Sequence, residues 1–176
     1  AVLQRHQPVS ALVFCQTKVL TEEIAAVLRD QGYMALAING DLDQKDRESR
    51  LVQFTNKSLT VLVATDVAAR GLDIDSLDLV INYHLTKDPE VHTHRIGRTG
   101  RAGSTGLACS LYHSSEAYKL ELIEGFTGQF LEPEPMPPFS TSNQPAQAPM
   151  VTLQIDGGKK QKVRPGDILG ALTGQN

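Results

Sequence analysis

Five short apolar runs, none alternating with polar residues, set the tightest limit on how this chain can fold. They are Ala11–Cys15, Ala35–Ile38, Val61–Ala64, Leu79–Ile81 and Leu107–Leu111. A strand with one wet face alternates apolar and polar residues, whereas a continuous run suits a parallel strand covered on both faces. Parallel neighbours need long crossovers, and helical segments stand between the runs. The first of these is capped by Thr21, carries Ile24, Val27 and Leu28 on one stripe, and ends at Gly32. The second is capped by Asp43 and faces Leu51 and Phe54 inward. The third starts near Pro89, and the fourth runs from about Ser114 to Phe126. The pattern predicts an α/β fold: an open parallel sheet with helices on both faces and ligand groups at the carboxyl ends of its strands.

The 176 residues are 40% hydrophobic, enough for one well-buried domain with an appendage. No apolar stretch is long enough to cross a membrane, and no secretory signal is visible, so a cytoplasmic location is expected. Cys15 and Cys109 lie inside apolar runs and read as buried, reduced thiols. The composition changes at Leu131. Six of the nine prolines fall between residues 131 and 149, which reads as an extended linker. Beyond it, Val151–Ile155 alternates as a strand does, Asp156-Gly157-Gly158 reads as a turn, and the stretch from Arg164 through Leu172 reads as a short helix. The expected organisation is a domain over 1–130, a proline-rich linker over 131–149, and the opening of a second domain over 150–176.

Net charge is −3, which argues against general attraction to nucleic acid and leaves room for local phosphate sites. His94-Arg95-Ile96-Gly97-Arg98-Thr99-Gly100-Arg101 sets three arginines three residues apart. Arg98 and Arg101, flanked by Gly97, Gly100 and Gly103, are suited to one polyphosphate as arginine fingers; a solvated basic helix is the plainer alternative. Ala64–Asp73 follows a strand directly. There Thr65 offers a hydroxyl to a nucleic-acid phosphate, Gly71 allows close backbone approach, and Asp73 can accept from a ribose hydroxyl. Asp66 and Arg70, four apart, are set to pair and hold that loop. Asp75 and Asp78 read as solvated turn residues.

Two weaker signals are Gln44 with Arg47, near a helix start where a phosphate could sit, and Thr17 after the first strand. A surface ion pair is an equal reading for Arg47. His92 and His94 have a metal-like spacing but no further ligand, so no metal site is expected, and His94 suits an interface. No G-x-x-x-x-G-K-[ST] loop is present. The arginines are therefore half of a site that something else completes.

Ala11–Thr17, Gly40-Asp41-x-x-Gln44-x-x-Arg47, Val61–Asp73 and His94–Arg101 resemble, in order and spacing, four motifs of the second RecA-like domain of DEAD-box RNA helicases. The resemblance covers residues 11 to about 126. It implies a three-layer RecA-like (P-loop NTPase-like) sheet. It also implies Arg98 and Arg101 as fingers toward ATP, Asp73 at the ribose or in the interdomain water network, and His94 against the N-terminal domain on closure. Thr17, Arg47, Thr65 and Gly71 would hold an RNA strand by its sugar-phosphate backbone. The N-terminal RecA-like domain, absent from this chain, would carry the Walker lysine, the D-E-A-D box and the Mg2+ site, leaving this piece inactive alone. Asn39 stands where the family usually has His before Gly40. The tail, with Lys159, Lys160, Lys162 and Arg164, resembles the start of the RRM-like RNA-binding domain of one bacterial branch. That likeness implies 23S ribosomal RNA as the target of a monomeric helicase. A non-catalytic RNA-binding or protein-docking module on the same fold is the alternative.

Overall fold

The computed structural model describes residues 1–74, 76–100, 105–140 and 144–174, with Lys159 described in its backbone only. Five parallel strands, β1 (Ala11–Cys15), β2 (Ala35–Ile38), β3 (Val61–Thr65), β4 (Leu79–Asn82) and β5 (Leu107–Ser110), form one sheet in the order β2-β3-β1-β4-β5. Helices α1 (Val2–His6), α2 (Lys18–Asp30), α3 (Gln44–Thr55), α4 (Asp66–Ala69), α5 (Pro89–Ile96) and α6 (Ala117–Thr127) flank it, and α7 (Pro165–Thr173) lies in the tail.

Pleating sends alternate residues of each strand to opposite faces. On one face Ala11, Val13, Cys15, Val61 and Val63 meet Leu20, Ile24, Ala25 and Leu28 of α2 and Leu3 of α1. On the other, Leu12, Phe14, Leu62 and Ala64 meet Leu51 and Phe54 of α3, Ala69 of α4, and Leu72, Ile74 and Leu77 of the following loop. Double coverage is why the central runs carry no polar residues. The outer strand β5 departs from that expectation. It has a single neighbour, Leu107 is 38% exposed, and Cys109 is half-buried rather than buried.

Other expectations are corrected. Thr17, not Thr21, caps α2: its Oγ1 accepts from the Leu20 amide at 3.2 Å. Thr21 is fully buried one turn on, donating to the Lys18 carbonyl at 2.6 Å. Asp43 caps α3 as expected, and Pro89 opens α5 behind an Asp88 cap. Asp78 is exposed, as expected of a solvated turn residue, and it also ties two strands together. Its Oδ2 accepts from the Val9 and Ser10 amides and the Ser10 hydroxyl at 3.0, 2.9 and 3.2 Å, stitching the entrances of β1 and β4 together. Asp75 lies outside the described residues. Residues 151–155 form no strand; they are exposed or partly exposed, with no neighbouring strand to take their backbone groups. The expected helix beyond them does form, with Pro165 in its first turn and the Arg164 amide donating to Asp167 Oδ2 at 2.8 Å. Among the described residues no helix is long and apolar enough to cross a membrane.

Candidate functional site

Register brings the first group of candidates together. Cys15 pairs with Thr65, so β1 and β3 end side by side at the carboxyl edge of the sheet. Thr17 starts α2 there, Thr65 starts α4, and Asp43 starts α3, so three helix amino termini open on one edge. The Thr65 hydroxyl oxygen accepts from the Ala68 amide at 3.3 Å, and Arg47 Nη2 donates to the Ala68 carbonyl at 2.7 Å. Arg47 and Thr65, distant in sequence, thus meet on the same short helix. Gly71 follows with φ +75° and open space around it, a left-handed position that a Cβ would strain. Asn39, the departure from the family pattern, is buried and fully used. Its amide donates to Thr21 Oγ1 and Glu22 Oε1 at 3.2 and 3.1 Å, and its oxygen accepts from the Asp41 amide at 3.0 Å. Asp41 in turn pairs with Lys18.

A second group forms where α5 ends. Arg98 Nη1 donates to the Leu72 carbonyl at 3.0 Å, one residue before the exposed Asp73. The Leu77 amide donates to the Arg98 carbonyl at 3.1 Å, and the Thr99 hydroxyl donates to the Leu77 carbonyl. Gly106 allows this knot to close: a Cβ on it would collide with Thr99 Oγ1 and the Gly100 amide. His94 is exposed on α5. Arg101 and Gly103 lie outside the described residues, so the Arg98–Arg101 pairing is an expectation that the structure does not address.

The three arginines do not share a role. Arg95 is 3% exposed and forms a bidentate pair with Asp66, Nε to Oδ1 at 2.6 Å and Nη2 to Oδ2 at 2.7 Å. Its Nη1 donates to Asn82 Oδ1 and the His84 carbonyl, both at 3.1 Å, and its guanidinium lies over the Phe14 ring at 5.1 Å. Sequence reasoning had paired Asp66 with Arg70. The structure corrects that: Asp66 turns inward to Arg95 and Arg70 stays exposed. The missed signal was the spacing of His92 and Arg95, which puts both on the inward face of α5. The clamp joins the start of α4, beside Thr65, to the helix that leads into Arg98.

Burial shapes the titrations nearby. The Cys15 thiol is pushed up to about 12 by burial, against the opposing pull of Arg95, so it stays protonated and offers no nucleophile. His92 is buried, its Nδ1 has no partner, and burial followed by the Arg95 charge lowers its pKa below the ordinary value. The fold therefore holds it neutral, while the unfolded chain takes up a proton in acid. The stability this supplies is full above the unfolded pKa of about 6.5 and is lost as pH falls toward the depressed value. His92→Gln should lose less melting temperature than the unaltered chain between about pH 7.5 and about pH 5; parallel losses in thermal scans would contradict this.

Residues 1–103 match the family model for the helicase conserved C-terminal domain, and residues 152–176 match the DbpA RNA binding domain. The chain belongs to the helicase C-terminal domain family. It is 53% identical over 173 residues to the ATP-dependent RNA helicase DbpA of Escherichia coli strain K12, covering 98% of this chain and 38% of that relative. This helicase C-terminal domain therefore spans well under half the length of that curated relative. Among solved structures it resembles a DEAD box protein from the hyperthermophile Methanococcus jannaschii, with TM-score 0.63 and 50% identity over 68% of this chain and 33% of that one. It also resembles the E. coli DEAD-box protein SrmB solved with the regulator of ribonuclease activity A. There the TM-score is 0.67 and the identity 28%, over 87% of this chain and 86% of that one. The open parallel sheet expected from the apolar runs, and RecA-like by the family resemblance, is thus the fold of DEAD-box C-terminal domains.

Proposed function

We propose that this chain is the second motor lobe of an ATP-dependent RNA helicase, which completes a nucleotide site seated mainly on a companion N-terminal lobe. One observation carries the reading: Arg98 is held to the Leu72 carbonyl, one residue before the exposed Asp73, in a chain that has no phosphate-binding loop of its own. Phosphoryl transfer needs positioning and charge compensation, and an arginine delivered from a second body supplies both only when the lobes close. Arg101 is the second finger, Asp73 meets the ribose or the water at the interface, and His94 meets the companion lobe. In this reading Mg2+ rests on the companion lobe with the ATP phosphates.

The RNA strand is held at the β1/β3 end. The caps use the oxygens of Thr17 and Thr65 as acceptors and leave each hydroxyl hydrogen for a phosphate oxygen. Arg47 spends one N–H on the Ala68 carbonyl and keeps the others for the backbone of the strand. Gly71 lets the strand approach the main chain. Closure on ATP and RNA bends the bound strand in a way a duplex cannot follow, and hydrolysis releases it. In this reading the target is large-subunit 23S ribosomal RNA, in cytoplasmic ribosome assembly and with a monomeric enzyme; the match of residues 152–176 to the DbpA RNA binding domain supports an RNA-binding tail. Domains over 1–130 and 150–176, joined by 131–149, complete the reading.

The test is complementation. The purified chain alone should hydrolyse ATP at least on the order of a hundredfold more slowly than the full-length protein with RNA. Adding the N-terminal lobe should restore part of the RNA-stimulated rate. Full turnover by this chain alone would overturn the proposal.

A further inference from the structure

The proline-rich stretch read as a tether does not run free. Leaving α6, the Leu131 amide donates to Glu124 Oε1 at 2.8 Å. Glu134 then pairs with Arg5 of α1 at 3.2 Å. At Ser140 the backbone is bonded in both directions to one side chain. Gln4 Nε2 donates to the Ser140 carbonyl at 2.7 Å, and the Ser140 amide donates to Gln4 Oε1 at 3.2 Å. Farther on, Pro145 packs against Gly32, whose added Cβ would meet the proline ring at 3.3 Å. Thr152 Oγ1 then accepts from Asn56 Nδ2 at 2.8 Å and bonds the Ser58 hydroxyl at 2.5 Å.

These anchor points share one place in the fold. α1 leads into β1, Gly32 lies between α2 and β2, and Asn56 and Ser58 lie between α3 and β3. All belong to the amino-terminal ends of the strands, opposite the carboxyl edge that carries Thr17 and Thr65. The contacts are small individually because most are exposed. Proline lowers the cost of making them. A segment with six prolines in 19 residues has few conformations to lose, so weak contacts suffice to dock it.

We propose that the amino edge of the sheet is a docking surface for the chain's own residues 131–140 and 144–152, and that this strap fixes the RNA-binding domain beside the end of α3, facing away from the carboxyl edge that carries Thr17 and Thr65. An RNA gripped by both regions then has to span the sheet, whose five-residue strands alone account for roughly 16 Å. The strap thereby measures the separation between the RNA element held by the tail and the strand held at the carboxyl edge. The docking itself does not depend on the proposed activity; only the reading of its consequence for RNA does.

Hydrogen exchange on the full-length protein, with neither ATP nor RNA, tests the docking separately from the helicase reading. The Ser140 amide should exchange at least about tenfold more slowly than in a free peptide of residues 131–149, and Gln4→Ala should bring it within about threefold of the peptide. The paired substitution Asn56→Cys with Thr152→Cys tests the placement. Under mild oxidation the disulfide should form at least about tenfold faster than in the same protein also carrying Gln4→Ala and Arg5→Glu. A peptide-like rate at Ser140, or disulfide formation indifferent to the α1 substitutions, would overturn the strap.

Discussion

Replacing Arg98 by alanine in the full-length protein is expected to lower RNA-stimulated ATP turnover by about a thousandfold while weakening ATP binding far less. The magnitude follows from what a guanidinium does for phosphoryl transfer. Charge develops on the transferred group in the transition state, and an arginine finger is worth ~10^3 to 10^5 in rate in GTPase examples. In the proposed reading, ground-state binding is spread over a phosphate loop and metal on the companion lobe, so one arginine contributes less to it. Arg98 also supports the Leu72 carbonyl, so a part of the loss could come from a displaced Asp73 loop. Arg98→Lys separates the two causes. It keeps a charge and a donor for Leu72 but loses the planar fork, and should remain impaired at least about tenfold. Single-turnover hydrolysis and nucleotide titration read kcat and binding apart. Equal losses in both would remove the finger assignment.

The second large effect is on stability. Arg95→Ala should cost the domain about 3–5 kcal/mol, because breaking a buried ion pair leaves its remaining partners unmatched. Asp66, with its side chain 34% exposed, recovers some hydration; the Asn82 oxygen, fully buried, does not. The Phe14 face also loses its cation. A loss of this size corresponds to a fall in melting temperature on the order of 10 °C or more for a domain of this length. Arg95→Lys should recover less than half, since an ammonium cannot span both Asp66 oxygens and still reach Asn82 and the His84 carbonyl. Urea unfolding of the three proteins measures the differences. A cost below about 1 kcal/mol for Arg95→Ala would show that the clamp holds nothing in place.

How far the residues alone announced the site differs from one position to the next. Thr17, Thr65 and Asp43 were legible as residues just after apolar runs, because a parallel strand always hands its chain to the ligand-bearing edge. Gly71 was legible because a glycine in such a loop marks a backbone conformation other residues resist, and φ +75° is that conformation. The cap at Thr17 was misassigned to Thr21. Both residues can cap, and only the strand's end at Cys15 chooses between them. The Arg95 clamp was hidden for a related reason. Three evenly spaced arginines look equivalent until α5 rolls one of them inward over Phe14.

Local rules also misjudged the tail. Alternation at Val151–Ile155 is a strand signal only when a neighbouring strand exists to accept its backbone, and proline content marks stiffness without saying whether a segment stands free or lies along a surface. In this chain, periodicity and the residues that follow each apolar run were sufficient for the sheet, its parallel sense and the carboxyl edge where the caps at Thr17, Asp43 and Thr65 gather, because those depend on neighbours close in sequence. Which arginine is buried, which carboxylate it meets and where the proline-rich segment settles were decided by the folded molecule. The Asp66–Arg95 pair joins residues 29 positions apart and the Gln4–Ser140 pair 136, and no short-range rule carries information over such separations.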